Sequence, residues 1–434
     1  MKRIVLSGLV LCYGLMVQAQ SIDKIISVNK VTEIETVLSA DDMQGRRAFT
    51  PGIDKASIYI ESLFKKVGLE TFDGATDYKQ EFTMTESKRM GLKVQIDGNA
   101  IDEGDMISFS YQPEVSFTEE SPIAVVRIRA GDSFGPKFYE YYQGDINLLV
   151  LVDNSFKKSI QNMRHMTQMA ANPGKNTVVF VFGPSEATHF SIEATNIITT
   201  QKLNNVVGVL KGKSKSNEYV VFSGHYDHLG LGSPAEGSEH DSQDSIYNGA
   251  NDDAAGTTAV IMLAEYFKKM NNNERSIIFT AFVAEELGGY GSKYFSKQLD
   301  PEKIVAMFNL EMIGTESKWG KNSAYITGFD KSNMGDILQK NLEGSIFKFH
   351  PDPYPEQQLF YRSDNATLAR LGVPAHTIST SKMDNEPNYH KASDEIGTLD
   401  MNNMTEIIKA IAISSSTIVS GKDTPTRVDT SKLK

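Results

Sequence analysis

The sequence predicts an α/β protein with a mixed, mostly parallel sheet that is covered by helices on both faces. From residue 204 onward, short and nearly continuous apolar segments alternate with longer segments of helical period. Strands that are apolar throughout indicate a sheet buried between two helical layers. Residues 90–200 instead carry short alternating runs separated by Gly, Asp and Asn, which indicate a β-rich insertion.

The first twenty residues have the three-part layout of a secretory signal peptide. Lys2 and Arg3 precede an apolar run over residues 4–17, and Ala19 supplies a small residue for cleavage. Residues 1–19 are therefore predicted to be removed. The run is too short for a membrane span, and no other segment reaches roughly 18 uninterrupted apolar residues. We expect an exported protein, periplasmic or secreted, with no membrane anchor after processing.

Composition excludes several kinds of site. The single cysteine, Cys12, lies in the predicted leader, so the processed chain has no disulfide, no thiolate ligand and no cysteine nucleophile. A metal ion would have to bind His, Asp and Glu. The formal charge of −11 becomes about −13 once Lys2 and Arg3 are removed. This charge argues against nucleic acid or an anionic membrane as a partner.

The elements group into one catalytic domain, an insertion and a tail. Residues 20–89 and 201–420 are predicted to form the catalytic domain, residues 90–200 the insertion, and residues 421–434 a flexible tail. Helical periodicity covers residues 31–69, with a turn at GRR and a stop at Gly68. The remaining predicted helices span residues 156–171, 254–269, 291–298 and 401–419, and the predicted strands of the catalytic domain span residues 205–210, 219–224, 276–284, 304–314 and 373–379.

Two motifs with acidic and imidazole side chains come first in the catalytic domain. In SGHYDHLG, His225 and Asp227 follow an apolar strand, and Asp227 can accept the second imidazole N–H. His228 is expected to be an ordinary loop residue. In NGANDDAAG, Asp252 and Asp253 begin a helix, where an Asp often caps the helix. Their closeness to the preceding histidine favours a metal site.

Three later motifs add carboxylates and a second imidazole. Glu285 and Glu286 end a buried strand, so one can bind metal while its neighbour serves as general base. Glu311 interrupts another apolar strand, where burial would be costly without a cation. His390 lies in a loop, with Asp394 four residues later as a candidate to orient it. Together the motifs supply ligands for two divalent ions, and the imidazoles favour zinc.

The order HxD, NDD, EE, NLE and YH resembles the M28 family of metallopeptidases, the zinc aminopeptidases and their relatives. The segments LSADDMQGRRAFTPG and IYIESLFKKVGLE resemble the amino-terminal part of the same family, so the likeness covers nearly the whole processed chain. It implies two zinc ions bridged by Asp252, with two further ligands each: His225 and Glu311 at one ion, Glu286 and His390 at the other. It also implies that Glu285 is the general base and that Asp227 orients His225.

Two departures from the family pattern affect the expected site. Glu311 stands where the family most often has Asp, and its extra methylene predicts a weaker second zinc site. The chain reads SDN at residues 363–365, where the family often reads SDH, and this difference concerns the substrate pocket. Tyr361, Arg362 and Asp364 are the candidate substrate residues. The insertion loosely resembles the protease-associated domain of many members.

The predicted function is hydrolysis of peptides by an exported zinc exopeptidase, with an aminopeptidase as the leading hypothesis. A carboxypeptidase on the same scaffold is an alternative, because Arg362 beside Tyr361 could receive a carboxylate. Glutaminyl cyclases resemble the same fold with a single zinc. A binding module without catalysis is a third class, although all the ligand positions of the family are filled here.

Overall fold

The structure is a computed structural model that describes residues 22–163, 168–232 and 244–433. The predicted signal peptide at residues 1–19, with Cys12, lies outside the described residues. Over the three described ranges, none of the helices combines the length and the apolar character that crossing a bilayer requires.

After a helical turn at residues 22–25, the α-helices in chain order are α1 (Val28–Leu38), α2 (Pro51–Val67), α3 (Phe134–Tyr142), α4 (Lys157–Met163), α5 (Ala255–Met270), α6 (Tyr290–Phe295), α7 (Met334–Asn341), α8 (Asn365–Ala369), α9 (Met401–Ser414) and α10 (Ser416–Val419).

The strands are β1 (Glu70–Thr71), β2 (Lys79–Ile96), β3 (Asn99–Ala100), β4 (Met106–Ser110), β5 (Glu114–Thr118), β6 (Ala124–Ile128), β7 (Leu148–Val152), β8 (Gln168–Ala170), β9 (Thr177–Phe182), β10 (Phe190–Leu210), β11 (Lys215–His225), β12 (Gly230–Leu231), β13 (Ile246–Tyr247), β14 (Arg275–Phe282), β15 (Ile304–Leu310), β16 (Ser323–Ile326), β17 (Lys348–Pro351) and β18 (Ala375–Ser379).

The chain divides into two compact units. The inserted unit runs from Phe82 to Lys202, and the main unit contains the residues on either side of it. The predicted insertion, residues 90–200, starts eight residues later than the observed unit and ends two residues earlier. The difference arises because β2 and β10 are long strands that pass from one unit into the other. Their alternating pattern continues through the boundary and therefore does not mark it.

The main unit is built on a mixed sheet with the strand order β17, β16, β18, β15, β11, β14 and β10. The central pairs β14 with β11, β11 with β15 and β15 with β18 are parallel. The pairs β10 with β14 and β16 with β18 are antiparallel. This is the mixed, mostly parallel sheet that the sequence predicts.

Helices pack on both faces of this sheet because successive strand residues point to opposite sides. Val221 belongs to a buried cluster with Phe295 of α6 and Leu368 of α8. Its neighbour Phe222 contacts Phe267 of α5 on the other face, with ring centroids 5.5 Å apart. The continuous apolar composition of β11 follows from these two layers.

The inserted unit has its own four-stranded sheet, in the order β4, β9, β7 and β6. Val150 of β7 and Phe180 of β9 pack on one side of it with Phe138 of α3, whereas Leu149 and Val179 belong to a second cluster. The helix predicted over residues 156–171 is shorter: α4 ends at Met163, and β8 occupies Gln168–Ala170.

Two predictions near the carboxyl terminus differ from the structure. The helix predicted over residues 401–419 is divided at Ser415 into α9 and α10. The segment after residue 420, predicted to be flexible, is held by Arg427 Nη1, which donates to the Ile304 carbonyl at 3.0 Å. Val428 N–H also bonds to the Gly372 carbonyl at 3.0 Å. The tail lacks apolar periodicity, yet these contacts, the burial of Val428 and the packing of Leu433 against the hydrophobic core fix it in place.

Glu35 of α1 makes the stability of the main unit depend on pH. Its side chain is fully buried, and Thr258 Oγ1 donates to Glu35 Oε2 at 2.8 Å. Burial raises the pKa of Glu35 from 4.5 to about 8. A carboxyl whose pKa is raised on folding stabilises the protein fully below its unfolded pKa, and this contribution is lost as the pH rises through the folded pKa. Between about pH 4.5 and pH 8, the free energy of unfolding should therefore fall by up to about 1.4 kcal/mol per pH unit.

Glu35→Gln should remove this part of the pH dependence. Urea titrations of chelator-treated wild type and variant, at several pH values across the window, measure it. Glu33→Gln is the control, because Glu33 lies exposed on the same helix. Parallel curves for wild type and Glu35→Gln would show that Glu35 is ionised in the folded protein.

Candidate metal centre

The predicted site residues meet at the carboxyl ends of the parallel strands, where open α/β sheets place their ligands. His225 is the last residue of β11, and Glu311 directly follows β15. Glu286 lies a few residues beyond β14, and Asp252 lies in a π-helical segment, Ala250–Ala254, that leads into α5. His390 reaches the same place from a loop.

Asp252 stands between the two imidazoles. Its Oδ1 is 3.2 Å from His225 Nε2, and its Oδ2 is 3.3 Å from His390 Nε2. Each carboxylate oxygen therefore faces a different ring, and the side chain is almost entirely buried. This is the arrangement that a carboxylate shared by two ions requires.

Each imidazole also faces a second carboxylate. Glu311 Oε1 lies 3.3 Å from His225 Nε2, and Glu286 Oε2 lies 3.3 Å from His390 Nε2. Burial lowers the pKa of His390, but the carboxylates of Asp252 and Glu286 raise it to about 10. The surroundings of the ring thus favour positive charge. Two sets of one imidazole and two carboxylate oxygens fit zinc, which accepts nitrogen and oxygen ligands.

Asp253 and His228 also lie within reach of a metal ion. Ligand atoms of His225, Asp253 and Glu311 lie within 4.8 Å of one another, as do those of His228, Asp252 and Glu286. Asp253, however, accepts the main-chain N–H groups of three segments: His225 at 3.1 Å, Gly256 at 2.9 Å and Met312 at 3.1 Å. Its carboxylate therefore caps α5 and ties the ends of β11 and β15 together.

His228 differs from the loop residue that the sequence suggested. Its side chain is buried, and its Nδ1 lies 2.8 Å from Glu286 Oε1. The one sequence signal was its place three residues after His225 in the same polar motif. The structure makes it a neighbour of the Glu286 carboxylate.

Asp227 contacts His225 differently from the prediction. The Nδ1 of His225 lies 3.0 Å from the main-chain oxygen of Asp227, whereas the Asp227 carboxylate is 3.8 Å away. That carboxylate instead accepts the N–H groups of Glu285 at 3.1 Å and Glu286 at 3.3 Å. Asp227 thus contacts the His225 ring through its backbone and holds the turn after β14 through its side chain.

Asp394 was suggested as the residue that orients His390, but its carboxylate points elsewhere. It accepts the N–H groups of Asn251 at 2.8 Å and Asp252 at 3.0 Å. Asp394 therefore fixes the backbone that carries the central carboxylate. The carboxylates of Asp227, Asp253 and Asp394 share this task of holding amide groups, which leaves Asp252 free to face both rings.

The main chain of Glu285 is fixed, and its side chain lies near other carboxylates. Burial raises the pKa of Glu285 well above its usual range; His225 opposes this rise, and the carboxylates of Glu311 and Asp364 add to it. A carboxyl with a raised pKa is a better proton acceptor, which suits a general base. None of the close contacts with the two imidazoles involves this side chain in the described residues.

An open cleft adjoins Glu311. It is lined by apolar, aromatic and hydroxyl-bearing side chains with one glutamate and one arginine: Glu311, Met312, Tyr325, Thr327, Leu359, Arg362, Ser363, Thr377, Ser379, Met383 and Tyr389. Of the three candidate substrate residues, only Arg362 lines this cleft. Tyr361 packs against the hydrophobic core, and Asp364 is buried, with a pKa that burial raises to about 7.

Two residues of the cleft were not among the candidate substrate residues. Tyr389 stacks on the ring of His390, with centroids 3.9 Å apart. Ser363 Oγ donates to Glu311 Oε2 at 2.6 Å and so fixes the rotation of that carboxylate. Tyr389 directly precedes His390, and Ser363 directly follows Arg362; these neighbours were the available signals in the sequence. Hydroxyl groups in loops are too common for such signals to identify a site residue.

The family model for peptidase family M28 matches residues 205–414, which contain all five candidate ligands. Residues 205–414 thus form a peptidase M28 region of the chain. Aminopeptidase YwaD of Bacillus subtilis (strain 168) is 25% identical in an alignment that covers 66% of this chain and 62% of that relative. The chain thus spans less than two thirds of this relative's length. The match to this family confirms the predicted resemblance and the prediction of a metallopeptidase.

Solved structures share the fold. A zinc aminopeptidase from Bacillus subtilis superposes with a TM-score of 0.55 at 16% identity, covering 94% of this chain and 97% of that one. A glutaminyl cyclase from Bacteroides thetaiotaomicron gives a TM-score of 0.50 at 12% identity, covering 92% and 99%. These likenesses confirm the predicted fold class, and the second shows that the fold alone does not select the reaction.

Proposed function

We propose that the protein is an aminopeptidase with two zinc ions. The observation that carries this proposal is Asp252, whose two oxygens each face a separate imidazole at 3.2 and 3.3 Å. His225 and Glu311 would hold one ion with it, and His390 and Glu286 the other. A cyclase of this fold with a single zinc would not need both sets.

In this proposal the zinc ions, when bound, polarise the scissile carbonyl and make water a stronger nucleophile. The remaining steps belong to the chain. Glu285 takes a proton from the attacking water and delivers it to the leaving amine. The Asp227 carboxylate accepts the main-chain N–H of Glu285 at 3.1 Å and so keeps Glu285 in place. The cleft next to Glu311 receives a side chain of the substrate.

The relatives and the lining of the cleft favour an amino-terminal substrate group. Aminopeptidase YwaD and a zinc aminopeptidase of Bacillus subtilis are among the proteins that this chain resembles. Arg362 is the one cation among the residues that line the cleft, and it is exposed. A buried cation that could hold a substrate carboxylate is therefore not among these lining residues. Both observations support an aminopeptidase over a carboxypeptidase.

Amino-acid anilides with a free amine and with an acetylated amine test this function. We expect hydrolysis of the free series alone, loss of activity with a chelator, and recovery with zinc. Equal hydrolysis of acetylated peptides, with release of their carboxyl-terminal residue, would favour a carboxypeptidase. Ammonia release from peptides that begin with glutamine, without hydrolysis of any anilide, would favour a glutaminyl cyclase. A chain that binds zinc but converts none of these substrates would fit a binding module.

We also propose that the protein is exported, on the basis of its amino-terminal sequence. Cleavage after Ala19 would leave Gln20 as the first residue. Amino-terminal sequencing of the protein produced with its leader in a bacterial host, from the cell interior and from the exported fraction, tests the proposal. An uncleaved chain confined to the cell interior would contradict it.

The two zinc ions are expected to bind with different affinities. Ser363 Oγ holds Glu311 Oε2 at 2.6 Å, so only Oε1 is directed at His225. Zinc titration of the chelator-treated protein should then show a tight step and a looser one, with activity following the looser step. Glu311→Asp restores the family's usual residue and should tighten the looser step.

Glu286→Asp is the matched control, because it shortens a carboxylate at the other imidazole. It should weaken the tight step and leave the looser one in place. Two equally tight steps that Glu311→Asp does not change would make Glu311 an ordinary ligand.

A further inference from the structure

The two largest fully buried side chains of the described residues are both arginines, Arg46 and Arg275. A buried arginine is rare because its charge must be removed from water, and it persists where its donors are satisfied. Arg46 comes from the GRR turn that the sequence singled out, far from every candidate metal ligand along the chain. Its contacts connect it to two segments that carry those ligands.

In the described part of the chain, the hydrogen bonds of the Arg46 side chain all end on main-chain carbonyl oxygens. Its Nε donates to the Tyr226 carbonyl at 2.8 Å. Its Nη1 donates to the carbonyls of Leu38 and Asn248, each at 2.6 Å, and its Nη2 donates to the Gly249 carbonyl at 2.9 Å. Tyr226 directly follows His225, and Asn248 and Gly249 begin the turn that leads to Asp252.

The main chain around Arg46 is fixed to the same two segments. The N–H of His228 donates to the Arg46 carbonyl at 3.3 Å. Gly45 has a φ of +63°, and a Cβ at this position would lie 2.5 Å from the Tyr247 oxygen and 2.7 Å from the Gly230 oxygen. Only glycine fits so close an approach. Backbone and side chain of the turn thus join the loop after β11 to the loop before α5.

We propose that Arg46 is a positioning residue that holds His225 and Asp252 at the separation needed for zinc binding. This inference rests on the proposed two-zinc function. A guanidinium suits the task because its five N–H donors have a fixed planar geometry, which can satisfy carbonyls that arrive from several directions. Lysine offers a single nitrogen and cannot reach the same set.

The sign of the change in zinc affinity separates this role from a purely electrostatic one. Arg46 is a buried positive charge, with Glu35, Asp394, Asp227 and Asp253 close enough to influence it. Removing that charge would by itself strengthen the binding of a cation. Losing the hydrogen bonds would let the loops that carry His225 and Asp252 shift, and this would weaken the binding of zinc. A positioning role therefore predicts weaker zinc binding.

Arg275 supplies a matched control for the loss of a buried arginine. It pairs with Glu218 at 2.6 Å and donates to the carbonyls of Ile418 at 2.7 Å and Asp423 at 2.6 Å. Glu218 lies near the start of β11, seven residues before His225, and the two carbonyls belong to the carboxyl-terminal segment, so none of these partners adjoins a metal ligand. Arg275→Met should lower stability as Arg46→Met does, without changing the ligand geometry.

The experiment uses the chelator-treated full chain and its Arg46→Met, Arg46→Lys and Arg275→Met variants. Circular dichroism establishes that each is folded and gives its Tm, and competition with a chelating dye gives the Kd for zinc. We expect both methionine variants to lose thermal stability. Only the Arg46 variants should bind zinc more weakly, by about 10-fold to 100-fold, the usual effect of removing a group that orients metal ligands.

Unchanged or tighter zinc binding by folded Arg46→Met would overturn the proposal, as would equal weakening in Arg275→Met. If Arg46→Met does not fold, Arg46→Lys decides by the same criterion. Lysine keeps the positive charge but lacks the planar set of N–H donors of the guanidinium. A wild-type chain that binds no zinc would refute the proposed function instead. The two failures are therefore distinguishable.

Discussion

Glu285→Gln is expected to lower kcat by about two to four orders of magnitude, the usual contribution of a general base, while the zinc content stays unchanged. Gln has nearly the same shape as Glu but cannot take a proton from water. The main chain of residue 285 is held by the Asp227 carboxylate through an N–H bond of 3.1 Å, which the substitution leaves in place. Turnover of an amino-acid anilide and metal analysis of the same sample measure the two quantities.

Glu343→Gln serves as the control for this variant, because it makes the same chemical change away from the site. Glu343 is exposed and lies near the end of α7. It should keep full activity. A kcat close to the wild-type value in Glu285→Gln would mean that another group accepts the proton, and the mechanism proposed here would be wrong. A large loss of zinc would instead make Glu285 a ligand.

Asp252→Ala is expected to remove both zinc ions and, with them, all hydrolysis. Its two oxygens are the ones that face His225 and His390, so no single carboxylate that remains can replace it at both places. Metal analysis of the purified variant after dialysis decides the point. The change also removes a buried carboxylate from between the two rings, so the fold should be checked by circular dichroism.

Glu311→Ala gives the contrast for Asp252→Ala, because Glu311 faces only the His225 ring, at 3.3 Å. It should lose the looser ion and retain the tight one at His390. Retention of both ions by Asp252→Ala would remove Asp252 from the bridging role. Loss of both ions in Glu311→Ala would indicate that the two sites fill together.

The reaction depends on side chains that the fold does not specify. Aminopeptidases and a glutaminyl cyclase share this arrangement of sheet and helices at low sequence identity. The assignment therefore depends on the paired imidazole and carboxylate groups around Asp252 and on the spare carboxylate of Glu285. The zinc titration and the turnover of Glu285→Gln address these two features separately.

The sequence by itself determined the class of fold and the residue types that meet at the candidate centre. Alternation of apolar strands with amphipathic helices reflects local periodicity, so it predicted β11, α5, β14 and β15 to within a few residues. The acidic and imidazole residues at strand ends were recognisable because charge beside an apolar run is costly without a partner. Short elements such as β16 and β17 were missed, since four residues carry too little periodicity to stand out.

Only the tertiary structure decided which carboxylates accept main-chain N–H groups and which one faces the imidazole rings. Asp227, Asp252, Asp253 and Asp394 are the same residue type in similar polar motifs, yet three of them hold main-chain N–H groups and one faces the two rings. Arg46 contacts carbonyls roughly 180 and 200 residues further along the chain. Sequence spacing has no information about such contacts, because they depend on how distant segments pack and on the direction in which each side chain then points.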